Sequence, residues 1–105
     1  MQEFFGKMRE GISDKAKEAT IRSKEALDSR EIEGKLGELG KKKEVAIAGL
    51  GLAAHTMLVG NALDQAALSS LSAAIAAIEA EEKAAQQELA DLHSDADKKV
   101  AELED

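Results

Sequence analysis

Two histidines are the side chains of this sequence that most invite a chemical interpretation, because imidazole binds metals and transfers protons near neutral pH. A metal site on a helix needs further ligands three or four residues away. His55 has no histidine or carboxylate at that spacing, and His93 has only Asp97, a pair that usually forms a solvated surface contact. His55 lies in an apolar stretch, where we expect a packed, hydrogen-bonded side chain. The sequence therefore predicts no metal site.

The serines near residue 70 and the glycine-rich stretches form no catalytic pattern. Ser69, Ser70 and Ser72 have no base at a spacing useful for nucleophilic attack. The stretches GLG and GKLGELG do not follow a predicted strand, so they do not predict a phosphate-binding loop. The chain has no cysteine, which excludes thiol catalysis, disulfides and thiolate metal sites. We predict a protein that is not an enzyme, with no cofactor and no small-molecule substrate.

The elements that position these side chains are predicted to be helices. The 105 residues suffice for one domain, and they include no proline, two phenylalanines and abundant alanine, leucine, glutamate and lysine. The first 44 residues carry eleven basic and ten acidic side chains, whereas residues 45–105 carry three and eleven. Nucleic acid is therefore not an expected partner, because the acidic part would repel phosphate. We predict an all-α protein.

Local signals divide the chain into three helical segments within a single unit, 1–105. Asp28 or Ser29 can cap a helix, and Glu31 follows Asp28 at capping-box spacing. Gly60 can supply a left-handed residue at a helix end, and Asn61 can cap the next helix. The predicted segments are an amphipathic helix at 2–27 and two hairpin helices at 30–59 and 62–104, with the turn at 60–61.

Apolar residues of the second and third segments follow alternating steps of three and four, the pattern of a coiled coil. In the third segment the pattern continues through Lys99, and Glu82 and Lys99 interrupt it with charge. A turn at 60–61 folds the two segments into a long antiparallel hairpin in which Leu50 lies beside Leu71. The predicted hairpin seam consists of Ile32, Leu36, Leu39, Leu68, Leu71, Ile75, Ile78, Leu89 and Leu92.

The stretch from Val45 to Leu63 carries no charge. Residues 45–59 are apolar on nearly all sides, which is typical of a helix that is buried on several sides. Two helices cannot provide that burial alone. A second copy, a different protein or lipid must cover the rest. We predict a self-assembling scaffold; the alternatives are a soluble adaptor that binds another protein here and a membrane-inserted hairpin. The residues predicted for self-association are Val45, Ile47, Leu50, Leu52, Met57, Leu58 and Val59.

The first segment has an apolar face of its own, strongest at its start and flanked by basic residues. Phe4, Phe5, Met8 and Ile12 form this face, which can lie in a membrane interface or dock on the hairpin. The N-terminus lacks the apolar core and cleavage site of a signal peptide. We therefore expect a cytoplasmic protein whose first segment can contact the inner face of the membrane.

The stretches FFGKMREGISDKAKEA, EIEGKLGELGKKKEVAIAGLGLAAH and LDQAALSSLSAAIAAIEAEEKAAQQELADL resemble the helical region of small bacterial proteins in which an amphipathic helix precedes a coiled-coil hairpin. Many of those proteins carry a zinc ribbon, which the absence of cysteine does not support here. The layout is also similar to the phage-shock-protein A and ESCRT-III group. That resemblance implies a hairpin that polymerises on membranes, with Phe4, Phe5, Met8 and Ile12 as the lipid contacts.

Overall fold

The computed structural model describes the backbone of residues 2–104 and the side chains of residues 14–103. Two α-helices account for nearly all of it: α1 spans Gln2–Val59 and α2 spans Gln65–Glu104. No strand occurs among the described residues. The predicted all-α helical hairpin is confirmed.

The break predicted near residue 28 is absent, because α1 runs without interruption from Gln2 to Val59. The predicted helix 2–27 is therefore the first part of a longer helix. Ser29 is buried and Asp28 is half-buried. The chain has no proline to stop a helix at this point. A capping sequence ends a helix only where the backbone leaves helical geometry, and here these residues continue the helix toward buried Ile32.

The C-terminus of α1 is closed by a Schellman motif, the paired hydrogen bonds that often end a helix. The Ala62 N–H donates to the Met57 carbonyl at 2.9 Å, and the Asn61 N–H donates to the Leu58 carbonyl at 3.3 Å. Asn61 takes the left-handed conformation, with φ of 51°. The turn therefore lies where it was predicted, but Asn61 replaces Gly60 as the left-handed residue.

Helix α2 begins three residues later than predicted, and its cap is Asp64. The Ala67 N–H donates to the Asp64 side-chain Oδ1 at 3.0 Å, and the Leu68 N–H donates to the Asp64 carbonyl at 3.2 Å. This is the usual geometry of an N-cap carboxylate. The predicted cap, Asn61, is committed to the end of α1.

The chain divides into two compact units. The terminal unit comprises Met1–Ile32 and Glu88–Asp105, and the turn unit comprises Glu33–Gln87. In the terminal unit Ile32, Ala96 and Val100 are buried. Lys99, a predicted seam position, is exposed and Val100 takes its place. The inward positions there are 92, 96, 100 and 103. The step of four residues from 96 to 100 buries a valine, whereas the predicted step of three would bury a charged side chain.

In the turn unit the inward face of each helix follows the three-and-four spacing. Leu39 is 4% exposed and Ala85 is 1% exposed. The other predicted seam residues of this unit are half-buried: Leu36, Leu68, Leu71, Ile75 and Ile78. In the terminal unit Leu89 and Leu92 are half-buried as well.

Candidate interaction surface

The inward face of α1 in the turn unit uses part of the apolar stretch. Ala46, Leu50, Ala53 and Met57 are half-buried, as expected for positions that repeat every three or four residues along one face. Leu50 and Met57 were predicted for self-association, but most of their surface already lies against the hairpin.

The remaining large side chains of this stretch point away from the hairpin interior and stay exposed. Their exposed fractions lie between 49 and 74%. Leu63, in the loop before Asp64, belongs with them although it was not predicted; its position at the end of the uncharged stretch is the signal that could have found it. We call this set the apolar outer surface: Val45, Ile47, Leu52, Leu58, Val59 and Leu63.

A cluster of charged groups joins the two helices just before this stretch of α1. Lys43 Nζ lies 3.3 Å from Glu82 Oε1 and 3.7 Å from Glu79 Oε2 in the turn unit. The pKa of Lys43 is raised, mainly by the hydrogen bond to Glu82. Glu82, a predicted polar interruption of the seam, is therefore paired with Lys43 of the other helix. The neighbouring Lys41 and Lys42 remain exposed.

His55 also lies on the outside of α1, where it is exposed. The prediction of a packed histidine was wrong, because the apolar residues on the same face of α1, Leu52 and Val59, are themselves exposed. The described residues contain no group of three or more His, Cys, Asp or Glu side chains that could hold a metal ion. His55 is therefore one polar position within an apolar surface.

A separate polar cluster joins the two helices in the terminal unit. Arg22 Nη1 donates to Glu25 Oε1 at 2.8 Å and to Asp97 Oδ1 at 2.9 Å. His93 Nδ1 lies 2.7 Å from Glu25 Oε2. These hydrogen bonds lower the pKa of Glu25, with Arg22 the larger cause. Asp97 therefore bonds to Arg22, and His93 pairs with Glu25 of the other helix, in place of the His93–Asp97 pair suggested by their spacing.

The polar cluster is best explained as a structural link between α1 and α2. Exposed ion pairs of this kind contribute little individually, and together they fix the pairing of one helix with the other. The nearby groove is open and has a volume of about 210 Å³. Its lining includes Ile21, Leu92 and Ala96 as well as charged side chains. The lining also includes the hydroxyl of Thr20, which donates to the Ala16 carbonyl of its own helix.

The predicted membrane or docking face lies outside the residues whose side chains are described. Phe4, Phe5, Met8 and Ile12 belong to the first turns of α1. Within the part of the chain that the structure describes, neither helix combines the length and the apolarity needed to cross a membrane.

Comparison with protein-family models, with curated proteins and with solved structures finds no match to this chain.

Proposed function

We propose that this protein is a non-enzymatic scaffold, a helical hairpin that assembles with copies of itself through the apolar outer surface. The observation that carries the proposal is the exposure of six large apolar side chains within 19 consecutive residues that carry no charge. Contiguous apolar surface of this kind usually marks a site of interaction.

The energy available from this surface supports association. Full burial of one valine, leucine or isoleucine contributes about 1.5–3 kcal/mol, so side chains exposed by about two-thirds would contribute roughly 1–2 kcal/mol each. Six such side chains on each copy would contribute roughly 12–24 kcal/mol to a pair of copies if all were covered. The cost of association is about 4–15 kcal/mol. The gain from full coverage therefore exceeds the cost over most of these two ranges.

Peripheral contact with a membrane is a second part of the proposal. The spacing of Phe4, Phe5, Met8 and Ile12 supports it, because these residues share one face of a helix with basic residues on its flanks. The test is flotation with vesicles that contain anionic lipid. The variant Phe4→Ser/Phe5→Ser should lose flotation, and its retention would remove this part of the proposal.

The test of self-assembly uses two leucines of α1 with nearly equal exposure. Leu52 belongs to the apolar outer surface and is 68% exposed, whereas Leu27 lies in the terminal unit and is 66% exposed. We expect Leu52→Glu to shift the protein toward the monomer in sedimentation velocity. Leu27→Glu should sediment like the wild type.

Other outcomes would contradict the proposed surface or distinguish self-assembly from the adaptor and the membrane-inserted hairpin. Equal loss of assembly in both variants would show that added charge alone is responsible, and would contradict the proposed surface. A wild-type protein that is monomeric and forms a stable complex only with a foreign protein would point to the adaptor. A wild-type protein that needs detergent throughout purification would point to a hairpin embedded in lipid.

A further inference from the structure

The outward face of α1 in the turn unit carries a second heptad pattern. Val45, Ala48, Leu52, His55 and Val59 follow steps of three, four, three and four, and all five are exposed. We call these five residues the outer seam. At 100° per residue they lie on the side of α1 opposite to the half-buried residues of the inward face. Such spacing is the signature of a helix that packs against another helix.

We propose that the outer seam binds the same seam of a second copy in antiparallel orientation, with the two-fold axis at Leu52. This inference rests on the proposed self-assembly and specifies its partner and geometry. In this arrangement Leu52 packs against Leu52 of the second copy, and Val45 packs against Val59 of the second copy. The three largest apolar residues of the seam are therefore all covered by one symmetric contact.

The charges at the two ends of the seam favour the antiparallel orientation. Exposed Lys41 and Lys42 precede the seam, and Asp64 follows it. An antiparallel pair places Asp64 of each copy near the lysines of the other. A parallel pair would place like charges together at both ends, including Glu44 beside Glu44, which is unfavourable.

A second copy also suits the seam better than a charged partner would. The seam has no charge of its own between Val45 and Val59, so it offers nothing for a partner's charges to recognise. His55 is its one polar side chain, and in the antiparallel pair it faces Gly49 of the second copy, where no side chain competes for space. A polar residue at one seam position commonly fixes the register of a coiled coil.

Cysteine cross-linking tests the geometry, because the natural chain has no cysteine and each introduced thiol is unique. Four single variants are needed: Leu52→Cys, Val45→Cys, Val59→Cys and, as an exposed control, Leu27→Cys. Under mild oxidation Leu52→Cys should give a band of twice the monomer mass on a non-reducing gel. Val45→Cys and Val59→Cys should each remain monomeric alone and give that band only when mixed. Leu27→Cys should remain monomeric.

The outcomes distinguish this inference from the proposed function. Cross-linking of Val45→Cys alone and of Val59→Cys alone would show a parallel pair and overturn the inference. Assembly in solution without cross-linking at Leu52 would place the contact elsewhere, which overturns the inference while self-assembly stands. A wild-type monomer at all concentrations would overturn both.

Discussion

Replacement of Leu39 by alanine should lower the stability of the hairpin strongly, because Leu39 is the large side chain most deeply buried in the turn unit. It is 4% exposed. Leu→Ala substitutions in protein interiors cost about 2–5 kcal/mol, through lost burial and the cavity left behind. The other buried apolar residue described in the turn unit is Ala85, and alanine has no flexible atoms that could fill a cavity. We therefore expect a loss of about 3 kcal/mol.

The matched control is Leu52→Ala, the same change at a side chain that is 68% exposed. About a third of the leucine surface is covered there, so the expected loss for the isolated hairpin is at most about 1 kcal/mol. Urea unfolding followed by far-UV circular dichroism gives both values. The lowest usable protein concentration limits the contribution of assembly.

Equal losses for Leu39→Ala and Leu52→Ala would contradict the assigned orientation of α1. If Leu52→Ala destabilises the protein as much as Leu39→Ala at the lowest concentration, the outward face of α1 is buried within a single chain. If instead the cost of Leu52→Ala grows with protein concentration, that growth measures the contribution of Leu52 to assembly.

Three further substitutions test the turn, the polar cluster and a glycine in the interior of α1. Asn61→Gly should raise the free energy of unfolding by about 0.5 kcal/mol in urea, because glycine adopts a left-handed φ without steric cost; a decrease would contradict the assigned turn. The lowered pKa of Glu25 means that its stabilising contribution is present above its ordinary pKa of 4.5 and is lost as the pH falls through the lower, folded-state value. Glu25→Gln should therefore unfold with a weaker dependence on acid pH than the wild type, and an unchanged pH profile would rule out this contribution. Gly37→Ala should raise the thermal midpoint, with a gain of about 0.5–1 kcal/mol, because the added methyl group meets nothing within 4 Å and glycine disfavours helix; a lower midpoint would indicate a close neighbour at this position.

The helical periodicity of the chain was enough to predict the hairpin and the orientation of most of its inward residues. Apolar spacing is a strong signal in long helices, because one face must pack along its whole length. The same spacing misplaced the end of the seam, since a step of three from Ala96 reaches Lys99 and a step of four reaches Val100. Burial of valine in place of lysine decides between the two steps.

Helix ends were harder to predict, because several residues compete for the same role. Gly60, Asn61 and Asp64 can each end or begin a helix, and only the hydrogen bonds of the turn show that Asn61 ends α1 and Asp64 begins α2. Asp28 and Ser29 carry an equally good capping pattern and cap nothing. Local preference is worth about 1 kcal/mol, which the packing of a continuous helix easily exceeds.

The candidate surface was predictable in its location and less so in its members. An uncharged stretch that is apolar on all sides has to leave some large residues outside a two-helix contact. Which residues stay outside depends on how the helix is rotated about its axis. That rotation leaves Leu52 exposed and turns Leu50 inward, where it is half-buried. The ion pairs of Arg22 and His93 depend on the pairing of α1 with α2 at single-residue precision, which periodicity does not provide.

Self-association through the apolar outer surface is tested most directly by the mass of the wild-type protein in detergent-free solution. Light scattering coupled to size exclusion gives that mass independently of shape, over a series of loading concentrations. Self-association predicts a species of at least twice the 11.1 kDa mass of the chain. A mass of 11.1 kDa at every concentration would contradict it, and the six exposed side chains would then need a different partner.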